Sequence, residues 1–513
     1  MSFFSEAQIT KYLYCLEKLT PVNSYIVQGL HVWPILRIYL TTQIKKVDWF
    51  TDEKLLENPT WIRIDEKIEH LFTQINKGND VKTEIDLEQV SLPKYSGNQS
   101  PIFDCLFFSR HDEHYLRTEE GWFAPILDSW LNFADKRWNV QKFEHIQSLD
   151  RMPRVNPPVF VIDQSFSEKS HPENKHNLIV NDLIKLTDVI NNFNKKVAIP
   201  FKIDHGNNLD IFVHAILNNY NWAFQFLHQN PCKALMLTTW YHSIAMGLIW
   251  AANDLGIPTI DLQHGCGEYQ VAYTHWGNIP RGGYKIVPRI FNVWGKTSKE
   301  NMLSWHLAQE RSHHVVVGGK VSIDAYFQKE QEIGFLETIR RDYQTVVLVT
   351  LSSIACYSLT SELLGAIKRS PKDWFWLIRC HPMAGSSSTH DGPTPENVNR
   401  LISSNFTRYE VNVSSQLPIE KIFPFCDHHI THTSSAAIEA LGYNIPSTMI
   451  NVMAKYSYRQ MINSGIIKLA MNSDEIIDSI KKIKANDEWK SKIRKEIVNS
   501  KDQHRSFLNS IIS

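Results

Sequence analysis

The stretch IPTIDLQHGCGE, residues 257–268, decides the predicted fold of the chain. Thr259 to Leu262 has the short apolar pattern of a buried strand, and it leads into a polar loop with two glycines. The preceding run, Ile244 to Leu255, is typical of a helix, which a glycine and a proline then stop. A helix followed by such a strand is a unit of a parallel sheet, and ligands of open parallel sheets lie beyond the carboxyl ends of the strands. The loop therefore supplies three candidate binding residues, Gln263, His264 and Glu268.

The same pattern, a short apolar run followed by polar residues, recurs along the chain. Before residue 320 the runs are 102–108, 159–162, 234–237, 259–262, 290–293 and 315–317, and after residue 340 they are 346–349, 374–378, 428–430 and 448–451. Helical patterns separate most of the runs, for example Asp210 to Leu227. Strands that alternate with helices predict an α/β fold with parallel sheets. Two such series predict two domains that face each other across a cleft, with a boundary near 320–340.

Length and composition fit two globular domains. The chain has 513 residues, of which 43% are hydrophobic and 21% charged, an ordinary globular mixture. Lys+Arg and Asp+Glu both number 54, so the net charge is zero. This balance argues against nucleic acid as the main partner, because nucleic-acid binding usually needs a basic face.

Cysteine placement and hydropathy indicate a cytoplasmic protein. The seven cysteines are scattered without Cys-x-x-Cys spacing, as is typical of reduced thiols. No apolar run approaches the ~20 residues that span a bilayer, and the N-terminus lacks the layout of a signal peptide. The segment 489–505 carries six basic residues. It has two interpretations, a solvated helix packed on the body of the protein or a peripheral contact with anionic lipid at the inner membrane face.

One polar strand end in the second series suits a phosphate group. Ser434 and Ser435 precede the predicted helix Ala436 to Leu441, where serine is a preferred N-cap and the free N–H groups form an anion site. Glu439 lies one turn further on, where a carboxylate can accept hydrogen bonds from ribose hydroxyls. The structural alternatives are an ordinary helix cap for the serines and a surface salt bridge for the glutamate.

A second polar strand end is His381-Pro382, which follows the aromatic-rich run 374–378. An imidazole can donate to a phosphate and later protonate a leaving group, because its pKa lies near neutrality. The His-Pro and Ser-Ser pairs at the ends of neighbouring strands together outline a polar pocket of monophosphate or diphosphate size. Ser352 and Ser353, which follow the run 346–349, are further candidates for this pocket.

These motifs resemble those of bacterial two-domain glycosyltransferases of the GT-B type, which build capsule and lipopolysaccharide. The resembling segments cover roughly 235–450 and are 256–265, 293–295, 317–319, 379–382 and 433–442, whereas the first 230 residues match in layout only. The His-Pro and Ser-Ser pair is similar to that of transferases that use CMP-activated ulosonic acids, such as Kdo, sialic or pseudaminic-type acids. The resemblance implies an acceptor-side Rossmann-like domain at 1–328 with an N-terminal helical region, and a nucleotide-sugar domain at 329–513 that ends in helices.

The resemblance also implies roles for individual residues. His381 would meet the donor phosphate and assist the departure of CMP, while Ser434 and Ser435 bind the same phosphate and Glu439 holds the ribose. The remaining candidates for the nucleotide-sugar site are Pro382, Ser352, Ser353 and Gln263. The base, or the nucleophile of a retaining enzyme, would be an acidic residue of the N-terminal domain. The catalytic candidates there are Glu268, Asp163 and His264, and Asp112 and Glu113 are the second choices.

The implied reaction transfers an ulosonic acid from CMP to a glycan or lipid-linked glycan acceptor in capsule or O-antigen synthesis. Its oxocarbenium-like transition state needs the charge of the leaving phosphate to be offset by N–H groups, hydroxyls and an imidazole. The scheme requires no metal and no cofactor besides the donor, and the sequence contains no Asp-x-Asp. Two alternatives stay open. One is a related enzyme that uses a UDP-sugar, a GDP-sugar or CDP-glycerol, or that epimerises a sugar, and the other is a non-catalytic partner in polysaccharide assembly.

Overall fold

The computed structural model describes the following residues: 6–46, 59–76, 92–110, 116–118, 121–145, 159–162, 173–199, 202–203, 207–265, 268–303, 312–321, 330–352, 359–382, 384–385, 392–402, 406–482, 487–493 and 496–512.

Most of the described strands lie in two parallel sheets. In spatial order, the first sheet contains β11 (His314–Val317), β10 (Ile290–Val293), β9 (Thr259–Leu262), β8 (Leu235–Leu237), β3 (Cys105–Arg110), β6 (Val140–His145) and β7 (Val159–Ile162). The second contains β14 (Tyr409–Glu410), β13 (Trp374–Arg379), β12 (Thr345–Thr350), β15 (His428–Thr431), β16 (Ser447–Met449) and β17 (Ile467–Leu469). Two short antiparallel pairs are β1 (Ile26–Val27) with β2 (Leu30–His31), and β4 (Leu116–Thr118) with β5 (Gly121–Phe123).

Helices flank both sheets. Those of the first half are α1 (Glu6–Leu19), α2 (Trp33–Lys46), α3 (Pro59–Asn76), α4 (Pro125–Ala134), α5 (Glu173–Lys196), α6 (Asn207–Gln229), α7 (Ser243–Asp254) and α8 (Lys296–Leu303). Those of the second half are α9 (Glu330–Asp342), α10 (Ser361–Arg369), α11 (Pro395–Leu401), α12 (Asn412–Gln416), α13 (Ile419–Ile422), α14 (Ala436–Leu441), α15 (Ala454–Ser457), α16 (Arg459–Asn463), α17 (Ser473–Lys482), α18 (Asp487–Ile493) and α19 (Lys501–Ile512).

The central strands are apolar on both faces because helices cover both. In β3, Leu106 and Phe108 pack in the core formed with α6 and α7, whereas Cys105 and Phe107 pack in a separate core with α4. Alternate residues of a strand point to opposite faces, so a continuous apolar run marks a sheet that is buried twice. The second sheet is built the same way, with β12 buried between α10 and α17 on one face and α9 on the other.

The N-terminal helices α1 and α2 are joined by a buried ion pair. Arg37 and Glu17 are both completely buried, and the carboxylate of Glu17 also accepts a hydrogen bond from Trp33 Nε1 at 2.8 Å. Arg37 Nε donates to the carbonyl oxygen of Val271 at 3.0 Å. The helical region expected at the N-terminus is therefore present, and it supports the chain segment that follows Glu268.

The C-terminal helix α19 packs on the first sheet, although its sequence position is in the second half. Its buried residues Phe507, Leu508, Ile511 and Ile512 share a core with α4 and β3. Gly319 adopts a positive φ of 87°, and a Cβ there would lie 2.3 Å from the carbonyl oxygen of Val498. The predicted domain limits, 1–328 and 329–513, stay a prediction. Helix α19 lies within the second range, and its apolar face is buried against the first sheet.

The α/β class with two Rossmann-like parallel sheets is confirmed. Three predicted strands, Val159–Ile162, Thr259–Leu262 and Ile290–Val293, have the observed bounds. The run 102–108 is shifted, since β3 begins at Cys105 and continues through Ser109 and Arg110, which pair in register with β6. No described helix is long and apolar enough to cross a membrane.

Candidate functional site

The loop after β9 and the loop after β15 meet between the two sheets. A Cβ placed on Gly265 would lie 3.1 Å from Ser435 Oγ. Both residues follow the carboxyl ends of central strands. The carboxyl edges of the two sheets therefore face each other, as the GT-B arrangement requires. The glycine permits this approach because any side chain would press on the serine. The cleft predicted from the sequence is therefore present, and the Gln-His-Gly loop lines it.

The two serines at the start of α14 have different tasks. Ser434 Oγ accepts a hydrogen bond from the backbone N–H of Ala436 at 3.2 Å. Ser435 makes no side-chain capping bond, and its hydroxyl faces Gly265 instead. Ser434 thus stabilises the turn, while Ser435 presents its hydroxyl to the cleft.

Three neighbouring strands of the second sheet bring the other predicted donor-site residues to the same edge. Strand β12 pairs with both β13 and β15. Ser352 follows β12, while His381 and Pro382 follow β13 and are exposed. Because the strands are parallel, these residues lie on the same edge as Ser434 and Ser435. Ser353 lies outside the described residues.

His264 is held between two tyrosines. Its Nε2 lies 3.2 Å from the hydroxyl of Tyr241, and its Nδ1 lies 3.4 Å from that of Tyr273. Burial, together with the positive charge of Arg110, lowers the pKa of His264 to about 4. The imidazole is therefore neutral at physiological pH, where it can accept or donate a hydrogen bond, but it is a weak base and does not supply a positive charge.

Gln263 has a buried role in packing the first sheet. Its side-chain oxygen accepts from the backbone N–H of Trp294 at 2.7 Å, and its Nε2 donates to Ser298 Oγ at 3.1 Å. One end of the amide is thus bonded to the turn that follows β10 and the other end to α8. In this conformation Gln263 fixes the start of the loop and does not present its amide to the cleft.

Glu268 connects the first half of the chain to the second. Its carboxylate forms an ion pair with Arg459, and its backbone N–H donates to the carbonyl oxygen of Ser457 at 2.7 Å. Burial raises the pKa of the Glu268 carboxyl, although Arg459 opposes this shift. The other carboxylate oxygen is buried without a hydrogen bond among the described residues, and the side chain lines a small cavity with Ser298. Burial thus favours the protonated form of this carboxyl, and the ion pair with Arg459 favours the ionised form.

The remaining acidic candidates of the first half, Asp163, Asp112 and Glu113, lie outside the described residues. Their predicted role stays a prediction. No group of three or more His, Cys, Asp or Glu side chains with the geometry of a metal site occurs in the described part of the chain.

Glu439 is engaged by Lys320, a residue that the sequence analysis did not select. The ammonium of Lys320 pairs with Glu439 and, at 2.8 Å, with Glu420, and it lies 5.4 Å from the centre of the Trp294 ring. Burial opposes the charge on Lys320, but the two carboxylates outweigh it and raise its pKa. The only available signal was the position of Lys320 directly after the Gly318-Gly319 pair. Its contact with residues 100 or more positions away could not be read from the sequence.

For this chain, comparisons with known proteins find similar solved structures but no relative in sequence. No family model matches it, and no curated protein matches it in sequence. Similar solved structures include S. aureus MnaA in complex with UDP (12% identity, 79% of this chain and 95% of that chain, TM-score 0.44). UDP-GlcNAc 2-epimerase from Neisseria meningitidis bound to UDP-GlcNAc is also similar (12%, 80% and 99%, 0.45), as is MurG from Acinetobacter baumannii (10%, 79% and 98%, 0.41). These identities and TM-scores are too low to transfer a function or a residue role.

Proposed function

We propose that the protein is a glycosyltransferase of bacterial surface-polysaccharide synthesis that transfers an ulosonic acid from a CMP donor to a glycan acceptor. The observation that carries the proposal is the close approach of Gly265 to Ser435 Oγ. It brings the Gln-His-Gly loop of one sheet against the Ser-Ser turn of the other. A donor bound at the second sheet would therefore present its reacting carbon to groups of the first sheet.

The donor phosphate would lie along the edge formed by the ends of β12, β13 and β15. Hydroxyl groups of Ser435 and Ser352 would donate to its oxygens, and His381 would donate from the neighbouring strand end. These donors stabilise the negative charge that develops when the bond between the sugar carbon and the phosphate oxygen breaks. The electron pair of that bond leaves with CMP.

The acceptor would enter from the side of the first sheet. Its hydroxyl oxygen forms the new bond to the sugar carbon, and its proton passes to a base. Glu268 is the described candidate for this base, because burial raises the pKa of its carboxyl and with it the affinity of the carboxylate for a proton. His264, whose two ring nitrogens face the two tyrosine hydroxyls, would position the acceptor hydroxyl by exchanging one of these partners for it.

Ribose recognition by Glu439 would require a partial exchange of partners. The side chain of Glu439 is 17% exposed, and one of its oxygens is paired with Lys320. A ribose hydroxyl would have to approach the other oxygen or replace the ammonium. This geometry predicts that Lys320 orients the carboxylate for the nucleotide, so that the ion pair and the ribose contact share one side chain.

The test is a thermal unfolding screen of the whole chain with CMP, CDP, UMP, UDP and GDP. A nucleotide at about 100 times its dissociation constant stabilises the folded state by about 2.7 kcal/mol. We expect a shift with CMP that disappears in the double variant Ser434→Ala/Ser435→Ala. Ser464→Ala is the matched control, because Ser464 precedes β17 at the opposite edge of the same sheet.

Each outcome has a defined meaning. A shift with UDP or GDP alone would reject the ulosonic donor and retain a nucleotide-sugar enzyme. A shift with CDP alone would favour glycerophosphate transfer. If no nucleotide shifts the transition, the proposed transfer reaction is rejected in favour of a non-catalytic assembly role.

A further inference from the structure

A group of basic side chains lies at the carboxyl edge of the first sheet, in addition to the residues that the proposed transfer involves. Arg110 ends β3, and His145 ends β6, and the two are direct partners in the parallel register. Phe108 and Phe143, two residues earlier on the same strands, pack in the core that contains α6 and α7. Since alternate residues share a face, Arg110 and His145 point to the side of the sheet that α7 covers.

The start of α7 reaches the same edge and carries His242. The Nδ1 atom of His242 accepts a hydrogen bond from the backbone N–H of Ala245 at 3.2 Å, which makes His242 the N-cap of the helix. In a neutral imidazole, an accepting Nδ1 leaves the proton on Nε2. That Nε2 is buried and has no hydrogen-bond partner among the described residues. A fixed N–H donor is therefore enclosed at this position without an acceptor in the part of the chain that the structure describes.

Arg110 and His145 both act on His242 electrostatically. Burial, followed by the Coulombic interactions with Arg110 and His145, holds the pKa of His242 well below its usual range. The same guanidinium also lowers the pKa of His264. The neighbouring acid Glu144 points to the other face, where it pairs with Lys142 and accepts from Ser109 at 2.9 Å. A further acid, Asp261, accepts a hydrogen bond from the backbone N–H of Trp240 at 3.1 Å.

We propose that Arg110, His145 and His242 form a binding subsite for an oxyanion, the phosphate or carboxylate group of the acceptor. Arginine supplies a forked, permanently charged donor, and the helix start and the His242 N–H supply neutral donors. Tyr241, adjacent in sequence to His242, contacts His264, and Gly265 contacts Ser435. The subsite is thus connected to the donor side through the loop that follows β9. The assignment of the anion to an acceptor rests on the proposed glycosyl transfer, whereas the binding site itself does not.

The test measures binding of inorganic phosphate to the full chain by calorimetric titration, without nucleotide. Arg110→Gln should weaken binding about tenfold or more, which corresponds to the loss of one charge-assisted contact of about 1.4 kcal/mol. His242→Asn keeps a capping side chain and removes the enclosed N–H, so it should weaken phosphate binding with little change in stability. Arg341→Gln is the matched control, because Arg341 is 73% exposed and pairs with the adjacent Asp342.

Parallel titrations separate the sources of the signal. Phosphate binding that survives Ser434→Ala/Ser435→Ala and is lost in Arg110→Gln supports the subsite, whereas the reverse pattern places phosphate at the donor site and overturns it. If inorganic phosphate binds neither the unaltered chain nor any variant, the subsite is overturned as well. Glucuronate and phosphate distinguish a carboxylate from a phosphate ligand, with glucose as the uncharged control. Phosphate binding at Arg110 combined with a negative nucleotide screen would reject the transferase but retain the subsite.

Discussion

Replacement of Lys320 by methionine should be among the most destabilising single changes in the second half of the chain. The lysine side chain is 13% exposed, and its partners Glu420 and Glu439 are 6% and 17% exposed. Methionine retains most of the side-chain volume but removes the charge. Two carboxylates would then remain buried beside each other, with Arg379 as the remaining positive charge that acts on both. Removal of one partner from a buried ion pair costs about 3–5 kcal/mol, and we expect a loss in this range.

The pH dependence of the loss distinguishes this cause from a packing defect. Without the ammonium, burial raises the pKa of both carboxyls above their values in the unfolded chain. Groups with a raised folded pKa stabilise the protein at low pH and cease to do so as the pH rises through that pKa. The deficit of Lys320→Met should therefore be largest above about pH 7 and should shrink towards about pH 5.

The measurement is urea unfolding followed by tryptophan fluorescence at several pH values. Lys482→Met is the surface control, because Lys482 and its partner Asp478 are 75% and 54% exposed, and its effect should stay below about 0.5 kcal/mol. The triple variant Lys320→Met/Glu420→Gln/Glu439→Gln removes all three charges and should recover much of the lost stability. A loss below about 1 kcal/mol in Lys320→Met, or a deficit that does not change with pH, would refute the reasoning.

Three further predictions concern the cleft. Gly265→Val places a branched side chain against Ser435 Oγ, so it should reduce nucleotide binding while the unfolding midpoint changes little. Gly334→Ala is the control, because a Cβ at Gly334 meets nothing within 4 Å. This control should bind nucleotide normally and be more stable by about 0.5–1 kcal/mol. The pKa of His264 is about 4, so its imidazole resonance in NMR spectra should not titrate between about pH 7 and 5.5. This resonance is identified by its absence from the spectrum of His264→Gln. The stability of the protein should fall as the pH is lowered, because acid protonates His264 in the unfolded chain first. If Glu268 is the base, Glu268→Gln should lower kcat by about 10²–10⁴ in a transfer assay, whereas replacement of its arginine partner should have a much smaller effect.

Local patterns predicted the elements on which the site is built. The apolar runs of β9 and β10 and the short helix α14 were read with their observed bounds, because burial on both sheet faces and a serine before a helix leave local signals. Ser435 and Gly265 were expected at opposing strand ends, and they meet there. Gln263 lies at the expected place, but its amide is bonded to Trp294 and Ser298 and not to the cleft. These partners lie in the turn after β10 and in α8, and the apolar periodicity of β9 does not reveal them.

The sequence by itself determined the alternation of strands and helices, the two parallel sheets and the edge at which polar side chains collect. These follow from the period of apolar residues and from the residue types that stop a helix or cap one. Only the tertiary structure decided which distant groups share a pocket. Lys320 reaches Glu439 across 119 positions, α19 returns to the first sheet, and Arg110, His145 and His242 meet at one edge although they lie on three separate elements. The physical reason is that a periodic pattern fixes the face on which a side chain lies, whereas its partner depends on the order in which the strands assemble and on how the helices pack over them.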